Sequence, residues 1–425
     1  MTVATRLVVR GALHVPGDKS VSHRALMLGV LSEGRTTIRG ILRSADIEST
    51  AGTLRAAGWE IPPLAPEMTL EGRGLAHAPA SPSHLDCGNS GTTARLLMGM
   101  MAGFPVTATF SGDASLSRRP MRRVAVPLTA MGARFDLTEG HDGLPLTLHG
   151  GHLHSIDWTM EKASAQVKSA LLLAGVTGHV AVVLREPAAS RDHTERLLRA
   201  QGAAIDVGTG MIVMDPPTRL EPIDLTVPGD PSSAAFFACL AAMADGGSLT
   251  IRDVGLNPAR SGFIAVLRRM GARLEVVERN DRGAEPIGDL LIRPGHLGNT
   301  VIGEDEVPSL IDELPVLACL AARAAGETVI SGASELRVKE SDRIATVVSN
   351  LRGLGVEVEE RPDGMRIRGT NTDLVGAVRT HGDHRIAMAF GVLAAAPRSR
   401  ITIDDRDCVG VSYPEFWRHL ESAVA

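Results

Sequence analysis

Val15-Pro16-Gly17-Asp18 opens one half of this chain, and Val227-Pro228-Gly229-Asp230 opens the other, 212 residues further on. Each copy leads into an Ala/Leu-rich stretch, residues 20–33 and 232–245, with the length and composition of a helix. An alternating run follows each: Thr36-Thr37-Ile38-Arg39-Gly40-Ile41 in the first, Ser248-Leu249-Thr250-Ile251-Arg252-Asp253-Val254 in the second. Alternation of this kind specifies a half-buried strand. Four repeated residues can arise by chance. Four that share a helix and a strand downstream mark two similar halves.

A finer repeat lies inside each half, where an amphipathic helix stops at Gly and an alternating strand follows. It recurs at Ala57-Gly58-Trp59-Glu60-Ile61, Met131-Gly132-Ala133-Arg134-Phe135, Gln201-Gly202-Ala203-Ala204-Ile205, Met270-Gly271-Ala272-Arg273-Leu274 and Leu354-Gly355-Val356-Glu357-Val358. Gly is suited to the left-handed residue that ends a helix. The spacing predicts about six units of roughly 70 residues, each reading strand, helix, strand, helix and then one or two strands. The 425 residues, at about 150 per domain, allow two to four domains. The expected architecture is α/β, in two domains of three modules each. Residues 17–227 form one domain, residues 1–16 and 228–425 the other, and the hinge lies near 15–18 and 227–230. Hinge residues at element ends suit a cleft that closes on a ligand.

Composition narrows the function. With 44% hydrophobic and 22% charged residues the chain reads as folded and soluble. A net charge of −5 and only twelve aromatic side chains argue against a nucleic-acid partner, which would need a basic face or stacking platforms. No signal peptide is evident, and the longest uncharged run, residues 96–112, is broken by Gly and Pro, so no membrane partner and a cytoplasmic address are expected. Cys87, Cys239, Cys319 and Cys408 form no CxxC pair and read as small buried residues. Only four basic residues are lysine, namely Lys19, Lys162, Lys168 and Lys339, against 40 arginines. In such a chain a lysine marks either a site that needs a compact ammonium able to release its proton, or a surface position retained by chance.

Several segments carry chemistry. Pro16-Gly17-Asp18-Lys19-Ser20-Val21-Ser22-His23-Arg24 turns from loop to helix, where exposed amides, the helix dipole, Lys19 and Arg24 favour an anion. A simple cap by Ser20 would read the same way. Asp86-Cys87-Gly88-Asn89-Ser90-Gly91-Thr92-Thr93-Ala94-Arg95 again feeds a helix, over residues 96–102, and Gly91 allows close approach of a ligand. Ser115 to Arg123 holds four arginines around Pro120, which fits the first turn of a helix. Basic charge at that end opposes the helix dipole, so an anionic partner accounts for it better than a solvated face. Ser164-Ala165-Gln166-Val167-Lys168 and Ser190-Arg191-Asp192-His193-Thr194-Glu195 each begin a helix. Asp312-Glu313 precedes a buried helix, Glu335 to Arg343 alternates in sign, and His381-Gly382-Asp383-His384-Arg385 opens an Ala-rich helix over 386–396. His149, His152 and His154 sit in a Gly-rich turn with no carboxylate in step, and they are not read as metal ligands.

Taken together and in this order, these segments resemble the 5-enolpyruvylshikimate-3-phosphate synthase (3-phosphoshikimate 1-carboxyvinyltransferase) family over nearly the whole chain. The resemblance implies the enolpyruvyl transferase fold: two inverse α/β domains, each of three repeated βαβαββ-like units. It implies transfer of the enolpyruvyl group of phosphoenolpyruvate to the 5-hydroxyl of shikimate 3-phosphate, on the way to chorismate. No metal or organic cofactor is implied, the partners are these small molecules alone, and a monomer is expected. By resemblance Lys19, Ser20, Arg24, Ser164, Ala165, Gln166, Ser190, Arg191, Asp312 and Lys339 hold shikimate 3-phosphate. Lys19, Gly91, Arg119, Gln166, Arg343 and Arg385 hold phosphoenolpyruvate. Asp312 matches the base that takes the 5-hydroxyl proton, and Glu340, with Lys19, matches the acid that protonates the vinyl methylene.

Two positions stand apart. Val411, in Cys408-Val409-Gly410-Val411-Ser412-Tyr413-Pro414, occupies a place where some family members carry lysine. Gly91 stands where a glyphosate-tolerant subgroup, whose other motifs this chain shares, often has alanine. A UDP-N-acetylglucosamine enolpyruvyl transferase is the nearest alternative, but residues 112–118 lack that family's cysteine. A silent anion-binding homologue is the other, and it gives no reason for Asp312 and Glu340 among groups that bind phosphate.

Overall fold

The structure is a computed structural model that describes residues 6–80, 84–137, 140–279 and 284–424. It divides into two compact units. An N-terminal unit comprises Gly17–Val227 with Arg282–Glu285, and a C-terminal unit comprises Met1–Pro16, Pro228–Asp281 and Pro286–Ala425.

The N-terminal unit carries helices α1 (Lys19–Leu31), α2 (Ala45–Ala56), α3 (Gly91–Ala102), α4 (Arg122–Ala130), α5 (Ala165–Gly178) and α6 (His193–Ala200). The C-terminal unit carries α7 (Pro231–Ala242), α8 (Gly262–Arg269), α9 (Leu314–Ala321), α10 (Arg343–Gly353), α11 (His384–Ala395) and α12 (Phe416–Ala423). The odd-numbered helices are apolar on nearly every face and fill the cores, whereas the even-numbered ones bury one side. Backbones of the inner helices come very close: a Cβ on Gly99 of α3 would fall 2.1 Å from the Ala170 carbonyl of α5. Each helix is thus placed by shape as well as by apolar area.

One sheet order recurs. Leu85–Asp86 lies parallel to Thr107–Ser111, which pairs antiparallel with Leu146–His149, and Arg134–Leu137 closes the edge. The same order holds for Ile156–Thr159, Val182–Arg185, Met211–Met214 and Ile205–Gly208. It holds again in the C-terminal unit for Ala12–His14, Leu249–Gly255, Ile287–Arg293 and Arg273–Arg279, and for Val301–Ile302, Glu327–Ile330, Gly364–Arg368 and Glu357–Arg361. Three sheets among the described residues have fewer strands: Asp224–Thr226, Glu33–Arg39 and Glu67–Arg73 in the N-terminal unit, and, in the C-terminal unit, Leu374–Val378 with Ser399–Ile403 and Val8–Val9 with Gly246–Gly247. The strand before each Val-Pro-Gly-Asp is exchanged. Ala12–His14 precedes α1 yet pairs with Leu249–Gly255, and Asp224–Thr226 precedes α7 yet pairs with Glu33–Arg39.

The helix-ending glycines behave as their spacing predicts, with φ of +92°, +115°, +86°, +100° and +87° at Gly58, Gly132, Gly202, Gly271 and Gly355. Three local expectations are corrected. Trp59-Glu60-Ile61 forms no strand, because Pro62 and Pro63 supply no N–H to a ladder and restrict the residue before them. The Ile61 and Pro62 carbonyls instead accept from the Arg55 guanidinium at 2.7 and 2.8 Å. Asp18, not Ser20, caps α1, accepting from the Val21 amide at 2.8 Å. Pro120 stands ahead of α4 rather than in its first turn, and Asp142 Oδ1 accepts from the Met121 and Arg122 amides at 3.2 and 2.7 Å.

Candidate active site

In each unit the inner helices present their N-terminal ends together, so backbone amides and the positive ends of the helix dipoles gather at one place. In the N-terminal unit these are the starts of α1, α3 and α5, capped by Asp18, Ser90 and Ser164. Lys19 is the first residue of α1 and pairs with Asp46 near the start of α2, leaving 19% of its side chain exposed. One turn on, the buried Arg24 donates to Thr194 Oγ1 at 2.6 Å, Ser169 Oγ at 2.7 Å and the Ser20 carbonyl at 2.9 Å. Burial, against the attraction of Glu195 and Asp18, lowers its pKa to about 10, so it stays charged at neutral pH.

A second knot surrounds Gly91. Arg95 donates to Gln166 Oε1 at 2.6 Å and to the Pro120 carbonyl at 3.0 Å, and Gln166 donates in turn to Thr92 Oγ1 at 3.0 Å. Arg119 donates to Asn89 Oδ1 at 3.0 Å and Ser115 Oγ at 3.3 Å. A Cβ on Gly91 would lie 3.0 Å from Arg95 Nη1, a tight approach, and 3.4 Å from Arg119 Nη1, so a side chain there would touch both guanidiniums. Of the four arginines in the 115–123 segment, only Arg119 is buried. Ala165 is the first residue of α5, next to the Ser164 cap.

A third group lies at the start of α6. Buried Lys168 binds Glu195 at 2.7 Å, Glu186 at 3.2 Å and the Ser190 carbonyl at 3.3 Å, while Ser190 Oγ donates to Glu186 at 2.7 Å. Burial raises the Glu195 pKa despite the ammonium beside it. Lys168 therefore reads as the compact cation of a buried acid pair. Arg191 lies close enough to Arg24 for its charge to lower the Arg24 pKa.

In the C-terminal unit, Asp230, Glu313 and Asp383 stand at the starts of α7, α9 and α11. Asp312, just before α9, is ringed by cations. Its Oδ1 lies 3.3 Å from Arg343 and 3.6 Å from Lys339, and its Oδ2 lies 3.8 Å from Arg385 and 3.9 Å from Arg260. Arg343 also reaches Glu340 at 2.6 Å and Asp383 at 2.8 Å. Burial alone would lower the Arg343 pKa, but Asp383, Glu340 and Asp312 outweigh it and the net shift is upward. Asp383 mirrors this: burial would raise its pKa, and Arg343 holds it below its ordinary value. Val411 ends a single 3-10 turn, Asp407–Val411.

The residues given a site role by the resemblance are divided between the two units. Lys19, Ser20, Arg24, Gly91, Arg119, Ser164, Ala165, Gln166, Ser190 and Arg191 belong to the N-terminal unit. Asp312, Lys339, Glu340, Arg343 and Arg385 belong to the C-terminal unit. The sequence reading missed Asp46, the role of Arg95 and above all Arg260. Arg260 ends an Asn257-Pro258-Ala259 turn at the head of α8, so the argument that drew attention to Arg119, basic charge at a helix start, would have found it. Among the described residues no group of three or more His, Cys, Asp or Glu side chains is placed to hold a metal, and no helix is long and apolar enough to cross a membrane.

The model of EPSP synthase (3-phosphoshikimate 1-carboxyvinyltransferase) matches residues 3–420. A 3-phosphoshikimate 1-carboxyvinyltransferase from Alkalilimnicola ehrlichii is 49% identical over 410 residues, covering 96% of this chain and 92% of that one. A solved EPSP synthase from Acinetobacter baumannii superposes with a TM-score of 0.87 at 40% identity, covering 99% of this chain and 97% of that one. The enolpyruvyl transferase NikO from Streptomyces tendae shares the fold, with a TM-score of 0.78 at 20% identity over 100% of this chain and 96% of that one. Matched from end to end in sequence and in fold, the chain belongs to the EPSP synthase family.

Proposed function

We propose that the chain transfers the enolpyruvyl group of phosphoenolpyruvate to the 5-hydroxyl of shikimate 3-phosphate and releases inorganic phosphate. The observation that carries this reading is the pairing, within one family member, of an anion-binding set of helix ends and arginines with the Asp312 carboxylate held among four cations. The two substrates bring roughly six negative charges at neutral pH. Lys19, Arg24, Arg119, Arg191, Lys339, Arg343 and Arg385 answer them in a chain whose net charge is −5. Local positive potential of this kind draws anions in and orients them.

Chemically, Asp312 takes the proton of the 5-hydroxyl as that oxygen bonds to C2 of phosphoenolpyruvate. Glu340, with Lys19, delivers a proton to the methylene carbon, and the C=C bond becomes a C–CH3 bond. The product of this addition is a tetrahedral ketal that still carries phosphate. Glu340, having given up its proton, takes one back from the methyl group, the C=C bond re-forms, and the C–O bond breaks with its electron pair leaving on phosphate. The arginines act by position and charge. Ser20, Ser164, Ala165, Gln166 and Ser190 complete the shikimate 3-phosphate side, and Gly91 and Gln166 the phosphoenolpyruvate side. Glyphosate competes for the latter.

Phosphate release from phosphoenolpyruvate is the direct test. It should require shikimate 3-phosphate, and release driven instead by UDP-N-acetylglucosamine would overturn the reading. Closure of the units about residues 15–18 and 227–230 belongs to the same proposal. Small-angle scattering should report compaction on adding shikimate 3-phosphate, and an unchanged radius of gyration at saturation contradicts closure. The enzyme works as a cytoplasmic monomer in this reading, and sedimentation at working concentration checks the monomer.

A further inference from the structure

Arg260 is 2% exposed, and the reaction as written above does not use it. A guanidinium buried so completely carries a desolvation cost of several kcal/mol unless anions and acceptors surround it. Its Nη2 lies 3.1 Å from Asp230 Oδ1 and donates to Ser232 Oγ at 2.9 Å, and its Nη1 lies 3.9 Å from Asp312 Oδ2. Ser232 Oγ donates onward to Glu313, the residue next to Asp312, and Asp230 Oδ1 accepts from the Ser232 amide at 2.7 Å. Asn257 fixes the approach, its carbonyl accepting from the Arg260 amide at 2.8 Å and its side chain from the Ala259 amide at 2.9 Å. One rigid planar fork thus ties the cap of α7 to the residue that precedes α9.

We propose that Arg260 is a positioning residue that holds Asp312 ionised and turned toward the substrate hydroxyl. The inference rests on the reading of Asp312 as the base. Oδ1 and Oδ2 of Asp312 have different neighbours: Lys339 and Arg343 face Oδ1, while Arg385 and Arg260 face Oδ2. Lys339, Arg343 and Arg385 are the cations assigned to substrate phosphate and carboxylate groups. When substrates draw on those three, Arg260 still faces Asp312 Oδ2. A lysine would carry the charge, but its one nitrogen could not both hold Asp230 and Ser232, as Nη2 does, and face Asp312, as Nη1 does.

The test compares Arg260→Met, Arg260→Lys and Asp312→Asn in the full chain, reading kcat, KM and the pH profile of kcat. The charged groups facing Asp312 are Arg343, Lys339, Arg385 and Arg260, with Glu340 and Asp383 on the far side of Arg343, Asp230 on the far side of Arg260, and Glu313 adjacent. Arg260→Met should lower kcat by about 10²-fold, the scale of a misplaced catalytic group, with both KM values little changed. Its acidic limb should move to higher pH, because a carboxylate that loses a cation binds its proton more readily. Arg260→Lys should keep the limb near the parent's and recover part of kcat. If Arg260→Met fails to fold, Asp230→Asn/Arg260→Met removes the buried pair together and is read the same way. An inactive Asp312→Asn beside Arg260 variants with parental kcat and limb overturns the role of Arg260 alone. An active Asp312→Asn overturns the base assignment itself.

Discussion

The two copies of Val-Pro-Gly-Asp start from the same residues and arrive at opposite electrostatics. Both aspartates cap an inner helix, Asp18 on α1 and Asp230 on α7. In the N-terminal copy the next residue is Lys19, and its ammonium pairs with an aspartate at the head of the following helix, Asp46 of α2. In the C-terminal copy the next residue is Pro231, and the capping aspartate itself pairs with a cation at the head of the following helix, Arg260 before α8. One copy leaves its lysine 19% exposed. The other buries its cation beneath Asp312. The repeat gives two equivalent helix ends that differ in where one cation sits, beside Asp46 in one and between Asp230 and Asp312 in the other.

This contrast can be broken most strongly at the C-terminal end. Asp383 caps α11, accepting from the Arg385 amide at 2.9 Å, and pairs with the fully buried Arg343. Asp383→Asn leaves that guanidinium short of a partner, and such losses cost about 3–5 kcal/mol. The pH dependence has a defined sign. The Asp383 pKa is depressed in the folded chain below its ordinary 3.8, so the unfolded state binds more protons between the two values. The stabilisation is complete above pH 3.8 and is lost as pH falls through the folded pKa. Denaturant titrations should show a wide gap between parent and Asp383→Asn at pH 7 that shrinks in acid. A gap independent of pH would mean that the pair does not stabilise the fold through its charge.

The N-terminal end is sharpened by Lys19→Arg. Charge is kept, but the guanidinium is broader than the ammonium beside Asp46 and does not release a proton near neutrality. Turnover should fall about 10²-fold, as for loss of one general acid, and parental turnover would reduce Lys19 to a point charge. The smallest expected effect is at Gly91. In Gly91→Ala the new methyl presses on Arg95 and Arg119, and overpacking of a tight site costs ~1–3 kcal/mol, or about one to two decades of affinity. Glyphosate, longer than phosphoenolpyruvate, should lose most of that affinity while KM for phosphoenolpyruvate rises less. If neither constant moves, other residues shape the pocket.

What the sequence reveals and what it hides follow from the range of the forces involved. The sixfold repeat is legible because its signals are local: a glycine that must turn left-handed at Gly132 or Gly271, and an alternating strand after it. The strand expected at 59–61 fails on equally local grounds, the prolines that follow, and a stricter reading of Pro62 and Pro63 would have avoided it. Asp18 and Ser20 both suit a cap, and only the backbone decides between them. Buried charge is the opaque part. Lys168 with Glu195, and Arg260 with Asp230 and Asp312, join residues 27 to 52 positions apart, and nothing in either partner's surroundings in sequence announces the other. The motif residues stand out because they cluster at helix starts. The groups that hold them in place come from elsewhere in the chain.

The central claim is that Asp312 acts as the base while the other residues assigned to shikimate 3-phosphate suffice to hold it. It is tested most directly by titrating shikimate 3-phosphate into Asp312→Asn in a calorimeter and following phosphate release by the same protein. The account predicts that Asp312→Asn binds shikimate 3-phosphate with an affinity close to the parent's while phosphate release falls by about 10²–10⁴-fold. Phosphate release near the parental rate, or loss of binding that accounts for the whole loss of rate, would contradict it.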